Sequence, residues 1–487
     1  MLREAIVAPL VLVMGVHAAT VQVPTDQPTI QAGIDAAAEG DTVLVAPGTY
    51  TGEDNRKLDF GGIDRVLVSE QGAFVTVIDC ELSGRGFWFG SGETAASVVD
   101  GFTVRNGRDL SHDPSGGGIY CFRSSPTLQN CMISDNSASS RGGGGVYCYS
   151  SSATLANCTI SGNRGLGNDG SGGGIRCVNS APTLSDCTIS ENSAGAHGGG
   201  ISCSGSSPKL INCTISRNSA SWEGAGFFCR DLSSPTLVNC TIAGNSAGWA
   251  GGGICWADSS SSMLTNCTIA GNSAVGRGGG VYCVGEEPSP TLTNCILWGD
   301  TPSEIDGGDP TLTHCDVQGG HEGEGNIDAD PQFVGPLGGD FHLTPGSLCI
   351  DTGSSVGALE RDFEGDVRPA GDGFDIGADE YSPVGMGAPS SGPPARRAAL
   401  AEARPNPFNP RTTIPFELTE AQGVRLAVYD LRGALVRILI DGPRAAGLHT
   451  EDWDGTNSVG LSMPSAAYIV RLMAGETIEQ RRLLLLK

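Results

Sequence analysis

The chain has 487 residues, of which 73 are Gly and only 17% are charged, and it carries a net charge of −25. The length favours more than one domain, and the charge is uneven: from Ala395 onward 12 basic and 10 acidic residues leave +2, so the remainder carries −27. So acidic a surface excludes nucleic acid, which needs a basic footprint, and fits an exported protein kept dispersed by its charge.

Residues 1–19 read as a secretory signal, with Arg3 in the n-region, an apolar stretch from Ala5 to Val16 and small residues for cleavage after Ala18 or Ala19. That stretch is too short to span a bilayer and no other apolar run reaches the required length, so no transmembrane span is expected. Next, Ile30, Ile34 and Ala37 fall at helical spacing behind Thr29, a residue able to cap. This predicts a short helix plugging the open end of a downstream stack of strands. Asp41–Gly48 reads as a strand and a turn, and further strands are expected at Val66–Val68, Val75–Ile78 and Phe87–Phe89.

Residues 98–317 repeat a phrase about every 27 residues. Its first half is Gly-Gly-Gly-aliphatic-x-Cys, as in Gly172 to Cys177, and its second is Asn-Cys-Thr-Ile-Ser/Ala-x-Asn, as in Asn212 to Asn218. A fixed period of this size means one unit stacked on copies of itself. Each coil reads as three short strands: aliphatic-x-Cys, Pro-Thr-Leu and Cys-Thr-Ile. Between the second and third lies a column of Gly101, Asn130, Asn157, Asp186, Asn212, Asn239, Asn266, Asn294 and His314. These types tolerate a left-handed backbone, so the column marks a sharp bend. A second column, Asn136, Asn163, Asn192, Asn218, Asn245 and Asn272, comes after the third strand, where stacked amides can bond along the axis.

The 17 cysteines fall mostly into two further columns, Cys121, Cys148, Cys177, Cys203, Cys229 and Cys283, and Cys131, Cys158, Cys187, Cys213, Cys240, Cys267, Cys295 and Cys315. Export would favour disulfides, but parallel neighbours in register point their Cβ atoms the same way. The columns therefore read as buried thiols serving as small hydrophobes. Metal-ligand pairs such as CxxC are absent.

Three strands per coil without a Leu-rich helical limb specify an all-β parallel β-helix of roughly 10–12 coils. Residues 24–381 resemble the right-handed parallel β-helix superfamily typified by pectate lyases, in its glycine-rich version from bacterial surface proteins. Segments Gly338–Leu343, Cys349–Gly353 and Asp375–Tyr381 resemble its closing region, with Asp379 where an aromatic is usual.

The resemblance brings lyases and hydrolases into view, whose chemistry needs converging carboxylates and a base. The outward column of the first strand is Tyr120, Tyr147, Arg176, Ser202, Phe228, Cys255 and Tyr282. That of the third is Met132, Thr159, Thr188, Thr214, Thr241, Thr268 and Ile296. Neither holds a carboxylate, so no catalytic residue is assigned, and a catalytic site would have to be assembled from loops. The loops hold Arg141, Asp169, His197, Trp222, Glu223, Trp249 and Arg277. Trp222 and Trp249 stand 27 residues apart, one coil. With Tyr147 they are the candidate ligand contacts, as rings for stacking on sugars or as cover for the glycine strands beneath. The acidic run Asp362, Glu364, Asp366, Asp372, Asp375, Asp379 and Glu380 offers oxygens for Ca²⁺ but lacks EF-hand spacing, and reads first as an internally hydrogen-bonded cap. No cofactor is otherwise expected.

Residues 382–405 read as a Pro/Gly/Ala/Ser linker, and 406–487 as a small β-sandwich. Pro405–Ile414, Val428-Tyr429-Asp430, His449 with Trp453-Asp454-Gly455 and the terminal Arg-Leu-Leu-Leu-Leu-Lys resemble sorting domains of type IX secretion and flagellar hook-capping immunoglobulin-like modules. That resemblance implies an export address or anchor recognised by outer-membrane secretion machinery. The sequence therefore predicts a secreted or cell-surface β-helix protein, non-catalytic, presenting a rigid face for binding a carbohydrate or surface partner or for surface coating, with a polysaccharide lyase or glycoside hydrolase built from loops as the alternative.

Overall fold

The computed structural model describes residues 18–109, 116–139, 142–167, 171–285, 289–382, 398–400, 403, 408–418, 422–430, 435–445, 447–457, 461–474 and 477–485. Residues 1–17 of the expected signal and 383–397 of the expected linker lie outside them. Tertiary contacts divide the chain into two compact units, Met1–Val384 and Gly385–Lys487.

The first unit is a right-handed parallel β-solenoid. In each coil alternate residues turn inward, so Leu184, Cys187 and Ile189 are buried between half-exposed Thr183, Ser185 and Thr188. Identical residues then stack in register: Leu155 on Leu184 on Leu210, Cys148 on Cys177 on Cys203, Ile160 on Ile189 on Ile215. The first, second and third strands form sheets of 10, 12 and 11 strands. At the open end the helix spans Ile30–Ala36, Thr29 Oγ1 accepts from the Ala32 amide, and Ile30 and Ile34 are buried.

A fourth, seven-stranded sheet was not expected. It consists of two-residue strands such as Ser193–Ala194 paired with Ser219–Ala220. Two residues are too short to show a period of two. The Asn before each strand aligns them: the Asn192 amide donates to Asn218 Oδ1 of the next coil at 3.0 Å.

The bend column adopts the conformation its composition demands. From Asn130 to His314, φ runs between 50° at Asn266 and 54° at Asp186, Asn212 and Asn294, and Gly101 sits at 79°. Two more left-handed columns exist. One holds Arg123, Ser150 and Asn179, the other Asp135, Glu191 and Arg217.

All 17 cysteines are buried thiols. Those of the third-strand column, Cys158, Cys187, Cys213, Cys240 and Cys267 among them, lie in the solenoid core and bond through Sγ to the carbonyl two residues back, as Cys213 does to Ile211 at 3.3 Å.

In the second unit, antiparallel sheets of three and four strands share one core that includes Ile414, Phe416, Val428, Trp453, Tyr468 and Leu483. The residue pattern predicts strands at Thr412–Leu418, Val424–Tyr429, Leu435–Ile440, Tyr468–Leu472 and Gln480–Leu486, and two further strands lie outside it. Gly447–Trp453 has few β-branched residues, yet pairs along the whole of Thr412–Leu418. Ala398–Leu400, inside the expected linker, pairs with Leu418–Phe416, so pairing overrides its loop-like composition.

Candidate functional site

The outer face of the first-strand sheet is the structured part of the surface. Before each strand from Ile175–Val178 to Val281–Val284 the chain turns at a glycine with positive φ, 73° at Gly172, 67° at Gly198 and 61° at Gly224. The turn is tight enough that a Cβ on Gly224 would lie 2.7 Å from that of Phe228. The incoming loops therefore lie back across the sheet. The outward column of the first strand is buried: Tyr120, Tyr147, Arg176, Ser202, Phe228, Cys255 and Tyr282 are all below 9% exposed. Tyr147 is thus corrected. At 2% exposure it stacks on Tyr120 at 4.9 Å and has no ring face to offer a ligand. Alternation along the strand placed it outward correctly, and there its ring packs between those of Tyr120 and Tyr149.

The covering loops form their own in-register ridge. Residues immediately before the turn glycines align as His197, Glu223, Ala250 and Arg277, with bridges from Glu223 to Ala250 and from Ala250 to Arg277. One step earlier, the Trp249 amide donates to the Trp222 carbonyl and the Gly276 amide to that of Trp249, each at 2.8 Å. Trp222 and Trp249 are 57% and 51% exposed on successive coils, and Val275 is next at 83%. The ring of Trp249 lies over Gly276 while half its area stays in solvent.

Beside the tryptophans, His197 gains the partner its sequence position did not reveal. Its ring stacks on Phe228 at 4.5 Å, and Nδ1 lies 3.5 Å from the Glu223 carboxylate. Burial first, then Arg230 and Arg176, pull its pKa down to about 4, so the imidazole is neutral and the contact is not an ion pair at pH 7. Burial, with Asp258, raises Glu223. Arg141 and Asp169 lie outside the described residues.

Elsewhere, Asp300, Glu304, Asp309 and His321 line an opening of about 550 Å³ beside the last coils. Asp300 and Glu304 are each 7% exposed.

Five members of the acidic run, Asp362, Glu364, Asp375, Asp379 and Glu380, are engaged internally. Asp362 Oδ1 accepts the amides of Glu364, Gly365 and Asp366 at 2.8–2.9 Å, and Asp375 those of Asp351 and Tyr381. Asp379 takes the Leu343 amide, so a hydrogen bond stands where an aromatic would pack. Glu380 pairs with Arg368 at 3.2 Å, both side chains fully buried. His342 lies 3.0 Å from Glu364 and 2.6 Å from Asp340, and these carboxylates, Glu364 foremost, hold its pKa up to about 10. Among the described residues no three His, Cys, Asp or Glu side chains are placed to hold a metal.

This closing segment lies along the solenoid's side. Asn239 Nδ2 donates to the Arg361 carbonyl, Asn266 Nδ2 to that of Asp375 and Asn294 Nδ2 to that of Ser354, while Thr268 Oγ1 accepts from the Ala378 amide. The threonine column is therefore half-buried at Thr159, Thr188 and Thr214 but fully buried at Thr241 and Thr268.

The right-handed β-helix region profile matches residues 64–222 and 173–321, more than half of the chain. Among solved structures, the crystal structure of pectate lyase Pel9A is similar at 15% identity and a TM-score of 0.48, covering 72% of this chain and 90% of that one. The Siphovirus 9NA tailspike receptor binding domain aligns at 9% identity and a TM-score of 0.18, over 95% and 98%. Scores this low carry no argument about function. No curated protein sequence matches.

Proposed function

Because the chain belongs to the right-handed β-helix family, whose coils here form a rigid scaffold, we propose that it is an exported cell-surface or secreted protein that binds polysaccharide along the loop ridge of its first-strand sheet. The observation that carries this reading is the pair Trp222 and Trp249, each about half exposed on successive coils. Aromatic faces at one-coil spacing suit a run of sugar rings. Residues 1–19 and 406–487 serve as signal and as sorting or anchoring domain addressed to outer-membrane secretion machinery.

The test is retention on a panel of acidic and neutral polysaccharides, comparing the full chain with W222A/W249A. At least a tenfold loss of affinity for one polymer is expected. Equal retention of both proteins, or of neither, rejects the ridge.

A second reading, hydrolase or lyase, is favoured by the opening in which Asp300, Glu304, Asp309 and His321 meet. It stands second because Asp300 Oδ1 is occupied by two donors from Asn272, and Glu304 Oε1 by the Asp300 amide. New reducing or unsaturated ends released from a bound polymer would reverse the order.

A further inference from the structure

The buried Asn column forms a continuous chain of amides. From Asn136 to Asn245, each Nδ2 donates to the Oδ1 of the next coil, at 2.9–3.0 Å, and to a backbone carbonyl of the previous coil. The chain ends at Asp300, whose Oδ1 accepts from the Asn272 amide at 2.5 Å and from Asn272 Nδ2 at 2.9 Å. Asp300 Oδ2 then occupies the place that Nδ2 holds in earlier coils: Asn272 Nδ2 lies against Gly253, and Asp300 Oδ2 against Gly280. A donor site is thus filled by an acceptor. Glu304 Oε1 takes the Asp300 amide at 3.0 Å, while Asp300 Oδ2 and Glu304 Oε2 are buried without any N–H donor.

We infer that Asp300 and Glu304 hold one proton between them, and that this proton seats the last full coil on the amide ladder. Two carboxylates buried side by side cannot both ionise, and an unmet buried acceptor is costly. The charged groups around the pair are each other and, across the opening they line, Asp309 and His321. Burial and the facing Glu304 raise Asp300 well above the ordinary carboxylate range, and burial raises Glu304. The seat is backbone: Gly279 N–H donates to Ser303 O and Val281 N–H to Glu304 O, each at 2.8 Å. Because the folded state holds a proton that the unfolded chain has released, stability from this pair is full in acid and falls as pH rises.

The experiment is amide hydrogen exchange on the full chain, corrected for intrinsic rates, read in peptides spanning 272–281 and 299–306. Over pH 5–8 the wild type should lose protection there at least tenfold. D300N keeps the Oδ1 acceptor and restores an amide donor towards Glu304, so its protection should stay flat. E304Q supplies the donor from the other side and should do the same. A wild-type profile that is flat, or a fall repeated unchanged in whichever of the two variants folds, overturns the inference.

Discussion

Two asparagine columns run the length of the solenoid with one period, and they do different work. The buried column, Asn136 to Asn272, is occupied by Asn alone until Asp300, and each member is at most 1% exposed. The bend column, Asn130 to Asn294, admits Asp186 and gives way to Gly101 and His314. It too forms amide contacts: Asn157 to Asn130 at 2.7 Å lies where water competes, whereas Asn239, Asn266 and Asn294 are buried under the closing segment. The difference teaches that one column is held by hydrogen bonds that nothing else can satisfy, and the other by a backbone angle that several residues accept.

Four measurements bear on that contrast. N218A should cost most, about 4 kcal/mol in denaturant unfolding, because it leaves the buried Asn192 amide without its acceptor, removes the donor to the Ile189 carbonyl and takes one bond each from Asn192 Nδ2 and Asn245 Oδ1. A loss below about 1 kcal/mol would erase the distinction.

The asparagines of neither ladder titrate, so pH dependence must come from buried carboxyls such as those of the last coil and the closing region. Burial pushes Asp316 up to about 6 and Glu380 up to about 7. Folded values above the unfolded ones mean stability that is present in acid and lost as pH rises through 6–7. D316N should recover about 1.4 kcal/mol of the stability lost between pH 5 and 8, read as a flatter profile of melting temperature. The same slope in wild type and D316N would clear Asp316 of the effect.

In the bend column N212A should cost about 1 kcal/mol, the price of a left-handed Cβ. N212G should stay within about 0.5 kcal/mol of wild type, since Gly adopts that angle freely. If N212G proved as damaging as N218A, hydrogen bonding and not geometry would govern both columns.

Legibility in the sequence divides along the same line. The bend column could be read because left-handed φ selects residue types, whereas the two companion bends could not, because Arg123, Ser150, Glu191 and Arg217 adopt that angle without advertising it. A buried serine ladder was also invisible: Ser151, Ser180 and Ser206 amides each donate to the hydroxyl of the next coil, and Ser is too common in this chain to stand out. The tryptophan ridge was legible from spacing alone. Tyr147 was misplaced because strand alternation reports direction, not what packs around the ring. The His197–Glu223 contact joins residues 26 apart in loops of unequal length, so no single spacing announced it.

The register of identical residues has a consequence for how the chain reaches this state. Leu155, Leu184 and Leu210 are interchangeable to a strand seeking a partner, as are Ile160, Ile189 and Ile215. A nascent coil docked one rung too far would satisfy nearly every inward contact. What distinguishes the rungs is their unequal length, with intervals of 27, 29, 26, 27, 27 and 28 residues between successive third-strand cysteines from Cys131 to Cys295. The irregular loops thus act as an index that makes slipped assemblies end with too much or too little chain, steering a repetitive sequence away from misregistered traps.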